Sequence, residues 1–395
     1  MPDIVHRRPD LREFVRRDPV LVIACALALL SCVAVPPDAG YLGYVDLRTL
    51  GLLFSLMTVM TGLTRLGVFR AACRALLAVV RGPRSLALAL TLLAFFSSML
   101  ITNDVALVTF VPLALLSLGH LRSPRLTCFT VVMMTIAANL GSMATPVGNP
   151  QNLYLYSASH LPLMDFILLM LPYTAAALAL LVGAIALFGR ALGARPVLAP
   201  ASRAPRGAEP GTAPDDGEGP VRVPLARTVP WAVLFALALG AVARVLPYQV
   251  PVIAAVAVGL ACDRQVLRHV DYALLLTFVA FFVFVGNMGR IGAVDAFIAQ
   301  VVAGNELLVS IAASQVLSNV PAAILLSGFT SAWPALIVGT NVGGLGTLIA
   351  SMASLISYKQ VALVLPHEKG RYLRLFTLWN VAFLLALTLL ALLIG

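Results

Sequence analysis

The sequence predicts an all-α polytopic membrane protein with inverted-topology repeats, each holding a re-entrant hairpin and a broken helix. Three observations predict it. First, the 395 residues are 60% hydrophobic and only 11% charged, where a soluble domain carries about 25% charged residues. At roughly 20 apolar residues per helical crossing there is room for about ten spans and no separate catalytic domain. Second, two long apolar blocks carry polar groups at their middle, which membrane depth tolerates only when they are buried in protein or line a wet cavity. Third, the two halves echo each other in sequence.

Residues 1–44 form a cytoplasmic N-terminal tail and a first scaffold helix. The tail (Arg7, Arg8, Asp10, Arg12, Glu13, Arg16, Arg17, Asp18) is too mixed in charge for a signal peptide, so the block at 19–35 stays as a span. Residues 45–190 make repeat 1: a span at 46–64, a basic amphipathic stretch at 66–83, a hairpin over 85–119, a broken helix over 126–162 and a span at 165–189. Residues 191–228, rich in proline with Asp215, Asp216 and Glu218, read as a disordered cytoplasmic linker. Residues 229–264 supply two scaffold helices. Residues 265–395 make repeat 2: a span at 271–289, an amphipathic stretch at 291–303, a hairpin over 306–331, a broken helix over 334–358 and a last span at 374–394.

The basic residues set the orientation. If both hairpins enter and return on one side, 24 of the 27 Lys and Arg residues fall on the cytoplasmic face, leaving only Arg48, Arg244 and Arg290 outside. That assignment puts the N-terminus inside and the C-terminus outside a cytoplasmic (inner) membrane. The net charge of +10 is thus a topology signal, and nucleic acid is not a partner. The lipid bilayer is.

The echo has three parts in the same order. Thr64-Arg65-Leu66-Gly67 matches Gly289-Arg290-Ile291-Gly292, and Thr102-Asn103-Asp104-Val105-Ala106 matches Ser318-Asn319-Val320-Pro321-Ala322. The stretch from Asn139 to Gly148 matches that from Asn341 to Ala350. The first copy starts on a helix running inward and the second on one running outward, so the repeats are inverted. Such transporters place the binding site near the midplane at the repeat interface.

Candidate site residues follow from the two tips and the two breaks. Asn103 and Asn319 offer amide oxygens that suit a hard cation such as Na⁺, and the blander reading is that they cap a turn. Asp104 is the only acid in the middle of a long apolar block; its blander reading is an ion pair that holds the fold. Around the breaks, Gly141, Thr145, Gly148, Gly343 and Thr347 join Asn103, Asp104, Ser318 and Asn319 as candidate coupling-ion residues. Thr102, Ser142, Asn149, Asn152, Ser318, Thr340, Asn341 and Gly344 are candidates for the substrate. Glycine-rich helix stretches also serve plain close packing. Arg65 and Arg290 each end a span and read as interfacial anchors. The five cysteines show no CxxC spacing and the histidines no metal spacing, so no cofactor is expected beyond a bound Na⁺.

Thr102 to Leu107, Gly141 to Leu153 and Gly339 to Thr347 resemble the ion transporter superfamily, nearest its bacterial citrate-transporter-like anion permeases. Divalent anion/sodium symporters and arsenite efflux permeases belong to the same group. The resemblance implies a scaffold, a transport unit carrying both hairpins, elevator motion and a homodimer. In the dicarboxylate branch each tip reads Ser-Asn-Thr. Here Asp104 and Val320 replace the threonines, which removes two donors and leaves Asp104 as a proton carrier or extra cation ligand. The leading expectation is a secondary transporter of a small anion coupled to Na⁺ or H⁺. The alternative on the same fold is proton-coupled efflux of an arsenite-like metalloid, or Na⁺/H⁺ exchange. An intramembrane enzyme would need a base or metal ligands beside Asp104, and no His or Cys is spaced to supply them.

Overall fold

A computed structural model describes residues 18–80, 82–119, 121, 123–191 and 225–394. The arginine-rich tail and most of the expected linker lie outside the described residues. Leu225 to Thr228, assigned to that linker by composition, are instead the first turn of a helix.

The described residues form helices and short turns, with no strand. In chain order they are α1 Pro19–Ala34, α2 Leu47–Arg65, α3 Val68–Val79, α4 Pro83–Ser97, α5 Asn103–Gly119, α6 Pro124–Ser142, α7 Pro150–Ser159, α8 Leu163–Ala191 and α9 Leu225–Val242. There follow α10 Gln249–Cys262, α11 Arg264–Arg268, α12 Tyr272–Arg290, α13 Gly292–Val302, α14 Glu306–Leu317, α15 Asn319–Ser327, α16 Trp333–Val342, α17 Met352–Val364 and α18 Lys369–Ile394. Prolines open several of them (Pro19, Pro83, Pro124, Pro150), where a missing N–H costs nothing.

Composition leaves room for about ten crossings, but only five helices among the described residues are long and apolar enough to make one each. The shortfall has a physical origin. α4, α5, α14 and α15 are arms of helix pairs that stop at polar tips, and α6/α7 and α16/α17 are interrupted at 143–149 and 343–351. α13 and α14 are bent by 109° against each other. The outward faces are apolar: Leu378, Leu385 and Leu389 of α18 are 65%, 64% and 59% exposed. Such a face is stable against lipid and not against water, and the chain is a multi-pass membrane protein.

Two sets of helices pack among themselves. α1 lies on α12, while α2 packs on α9, α10 and α12. In the other set α6 is the core, with every residue from Leu126 to Ser142 buried by α4, α5, α8, α17 and α18. The packing scheme recurs. α4 and α5 pair with each other and with α6, as α14 and α15 do with α16, and each pair's second arm packs on the helix beyond the other half's break, α5 on α17 and α15 on α7.

Loop contacts link residues that the charge pattern places on the same side. Arg65 bonds Asp263 and Gln265 at 2.9 and 2.6 Å, Arg290 bonds Asp38 at 2.8 Å, and Arg244 donates to the carbonyls of His160 and Tyr156. The Arg290 guanidinium holds the Asp38 carboxyl below its usual range. The expectation that Arg65 and Arg290 anchor the ends of spans accords with these loop partners.

Candidate functional site

Four helices begin at one point. A small cavity of about 20 Å³ is lined by Asn103 and Asp104 of α5, Pro150 and Gln151 of α7, Asn319 and Val320 of α15, and Ser351 and Met352 of α17. These are the first residues, or the residue just before, of each helix. Asn149, Ser318 and Ser351, the residues before three of these helices, cap none of them with a side-chain hydrogen bond. Each helix end carries the equivalent of about half a positive charge and exposed amide donors. Four together draw a negative charge to their meeting point.

Asp104, the one acidic side chain lining this cavity, sits in the first turn of α5. Among the described residues it forms no ion pair, and its buried Oδ1 has no hydrogen-bond partner. The reading of Asp104 as an ion-pair brace finds no partner among those residues. Thr102, Asp104 and Asn149 also line an adjoining cavity of about 170 Å³, together with His269 and Asp271. In the sequence His269 lies in a loop and Asp271 opens the span at 271–289, and nothing in their spacing points to a tip more than 160 positions earlier.

The aligned residues of the two halves make matching bonds. The Asn103 amide N–H donates to Gly148 O at 3.2 Å, and that of Asn319 to Ala350 O at 2.9 Å. The Thr145 hydroxyl donates to Met99 O, and the Thr347 hydroxyl to Gln315 O. Across the halves, Asn139 Nδ2 donates to Ser354 Oγ at 3.5 Å, and Asn341 Nδ2 to Asn152 Oδ1 at 2.6 Å. Asn139 is a hub, its Oδ1 accepting from Asn103 Nδ2 at 2.9 Å and from Ser351 Oγ at 3.0 Å.

Other candidates are held in particular ways. Ser142 donates to Asn139 O and accepts from Asn149 Nδ2, whereas Asn149 Oδ1 and Asn341 Oδ1 are buried without partners. Thr340 gives its hydroxyl to Leu336 O of its own helix. Gly141 has a packing role: a Cβ there would lie 2.0 Å from Phe95 O, so no side chain fits where α4 crosses α6. Gly344 has the Asn319 amide group 2.9 Å from where its Cβ would be. Gln315, absent from the candidate list, donates to Gly343 O and Leu345 O and accepts from Thr347 N–H. No group of three His, Cys, Asp or Glu residues among the described residues could hold a metal ion, and hard-cation ligation would fall to amide and carboxylate oxygens. The buried Asp104 Oδ1 beside Asn103 suits that role.

Polytopic helices around a polar centre where four helix ends meet define a membrane-transport type of site. The sequence profile of the citrate transporter family matches residues 11–332, and the chain belongs to that family. It is 31% identical over 291 residues to an uncharacterized transporter of Methanocaldococcus jannaschii, covering 72% of this chain and 73% of the relative. It is 30% identical over 322 residues to the inner membrane protein YbiR of Escherichia coli, covering 80% of each. A shorter match, 37% over 128 residues, is to the silicon efflux transporter LSI3 of Oryza sativa, covering 32% of this chain and 26% of that one.

Proposed function

We propose that the protein is a secondary active transporter of a small anion, coupled to Na⁺ or H⁺, in the cytoplasmic membrane with its N-terminus inside. The observation that carries this reading is the meeting of four helix N-termini around Asp104. Four positive helix ends favour an anion, and an ionised Asp104 occupies their field. A proton or Na⁺ on Asp104 cancels that charge and lets the anion in. Binding of cation and anion is then mutually required, which is what coupling needs.

The matching bonds of the two halves support inverted repeats, and α4/α5 and α14/α15 fit re-entrant hairpins. α1, α2, α9, α10 and α12 pack chiefly on one another, with α12 also touching α15 and α2 touching α7, which fits a scaffold against which the remaining helices move as an elevator. Uptake by Asn103→Ala tests the site. That variant loses its link to Asn139 and is expected to lose at least tenfold in uptake while eluting as a folded species in detergent; full transport sinks the assignment.

A second reading, proton-coupled efflux of a neutral metalloid, is favoured by the match to a silicon efflux transporter and by the buried carboxylate of Asp104. Metalloid resistance in an expressing cell, lost on Asp104→Asn, would select it over anion uptake.

A further inference from the structure

The three arginines that break the positive-inside pattern gather at one place, away from the four-helix centre. A cavity of about 320 Å³ between the start of α2 and the end of α7 is lined by Arg48, together with Tyr44, Asp46, Tyr154 and His160. Arg290 reaches Tyr44 Oη at 3.3 Å. Arg244 donates to His160 O at 2.9 Å and lies over the Tyr156 ring at 5.0 Å from its centre. Arg48 thus lines the cavity, and Arg244 and Arg290 each bond a residue that lines it.

Arginine is retained on the outer face against the insertion bias, so one arginine lining a cavity and two more bonded to its lining residues call for a physical reason. The acids nearby do not consume all three. Asp38 pairs with Arg290, and both carboxylate oxygens of Asp46 are bonded to Thr49 at the start of α2. Arg48 donates to Ala241 O at 3.3 Å through Nη2, while its buried Nε has no partner. Arg244 bonds only carbonyls among its hydrogen-bond partners shown. The three guanidinium groups outnumber the two carboxylates, and phenol hydroxyls and an imidazole stand beside them.

We propose that this cavity is an outer vestibule that recruits an oxyanion, carboxylate or inorganic, ahead of the central site. Arg48 supplies the direct contact, and Arg244 and Arg290 supply field and shape. A guanidinium fork with an idle N–H suits an oxyanion and has no use for a cation or a neutral solute. The vestibule touches the transport machinery through Tyr154, which shares a 2.7 Å hydrogen bond with Ser327 of α15 and follows Asn152 by two positions on α7. The proposal rests on the anion reading above for the chemistry of its ligand and on the same sidedness.

The test places a cysteine at Ala158, which also lines the cavity, in the full chain with Cys25 and Cys262, the exposed thiols, replaced by serine. Proteoliposomes of right-side-out protein are treated from outside with membrane-impermeant thiosulfonates of equal size, one anionic and one cationic. The anionic-to-cationic rate ratio is expected to exceed that for a free thiol by about fivefold, from attraction across several ångströms of water. It falls at least threefold in Arg48→Gln and stays high in Arg48→Lys, which keeps the charge. Millimolar sulfate or citrate slows labelling of the parent and leaves Arg48→Gln unaffected. A ratio equal to that of a free thiol, or one unmoved by Arg48→Gln, overturns the vestibule, as does a cysteine that no reagent reaches. The readout needs no transport: anion uptake with a neutral ratio sinks the vestibule alone, and a raised ratio without anion uptake sinks the transport reading alone.

Discussion

The two helix-pair tips share a backbone plan and differ in what they put on it. Both tip asparagines donate a backbone amide to the end of their own break, at Gly148 and at Ala350. At the first tip the next residue is Asp104, with a free buried oxygen. At the second it is Val320, and the residue before, Ser318, is held at φ +75° and ψ 153°, a region that side chains rarely adopt. Beside that second tip, Gln315 fastens the break with three bonds, where the first half has Met99. The first tip carries the charge chemistry and the second carries backbone strain and bracing. The two tips thus keep one backbone geometry while carrying different side chains on it.

The largest structural effect is expected at the hub. Asn139→Ala strands the partner groups of Asn103, Ser351 and Ser354 in the core and should cost about 3 kcal/mol, read as a lowered unfolding temperature in detergent. Its counterpart Asn341→Ala loses one cross-half bond and one bond to its own helix and should cost less; equal losses would break the asymmetry. Next comes Gln315→Ala, which frees the carbonyls of Gly343 and Leu345 and should cost about 2 kcal/mol, checked by the same melt. Smaller still, Ser318→Gly should stabilise by about 1 kcal/mol by relieving the backbone, whereas Thr102→Gly at the first tip, where φ is not positive, should destabilise.

The smallest effect concerns the exposed pair Asp38 and Arg290. Arg290 depresses the Asp38 pKa, so its stabilisation is present above the usual carboxylate pKa and is lost as pH falls through the depressed value. Melts of the parent and of Asp38→Asn should therefore differ slightly at pH 7 and converge at low pH.

Much of this arrangement was legible in the sequence because it is written locally. Thr102-Asn103-Asp104 interrupts an apolar block, and α5 begins at Asn103; Ser318-Asn319 does the same for α15. Gly141 to Pro150 announced the break that separates α6 from α7. What escaped was set by contacts between distant positions. The crossed pairs Asn139–Ser354 and Asn341–Asn152, the approach of His269 and Asp271 to Asp104, and the gathering of Arg48, Arg244 and Arg290 each depend on how the halves interlock.

The central claim is that a cation on Asp104 admits an anion to the meeting point of four helix ends. Its most direct test is anion flux in proteoliposomes under imposed proton and sodium gradients, screening citrate, succinate, sulfate and phosphate, with arsenite as the metalloid control, in the parent and in Asp104→Asn. The account predicts gradient-driven accumulation by the parent, and in the variant, whose amide mimics the neutralised acid, anion exchange that no longer depends on pH or Na⁺ and at least a tenfold loss of accumulation. Accumulation by Asp104→Asn that still follows either cation gradient would contradict it.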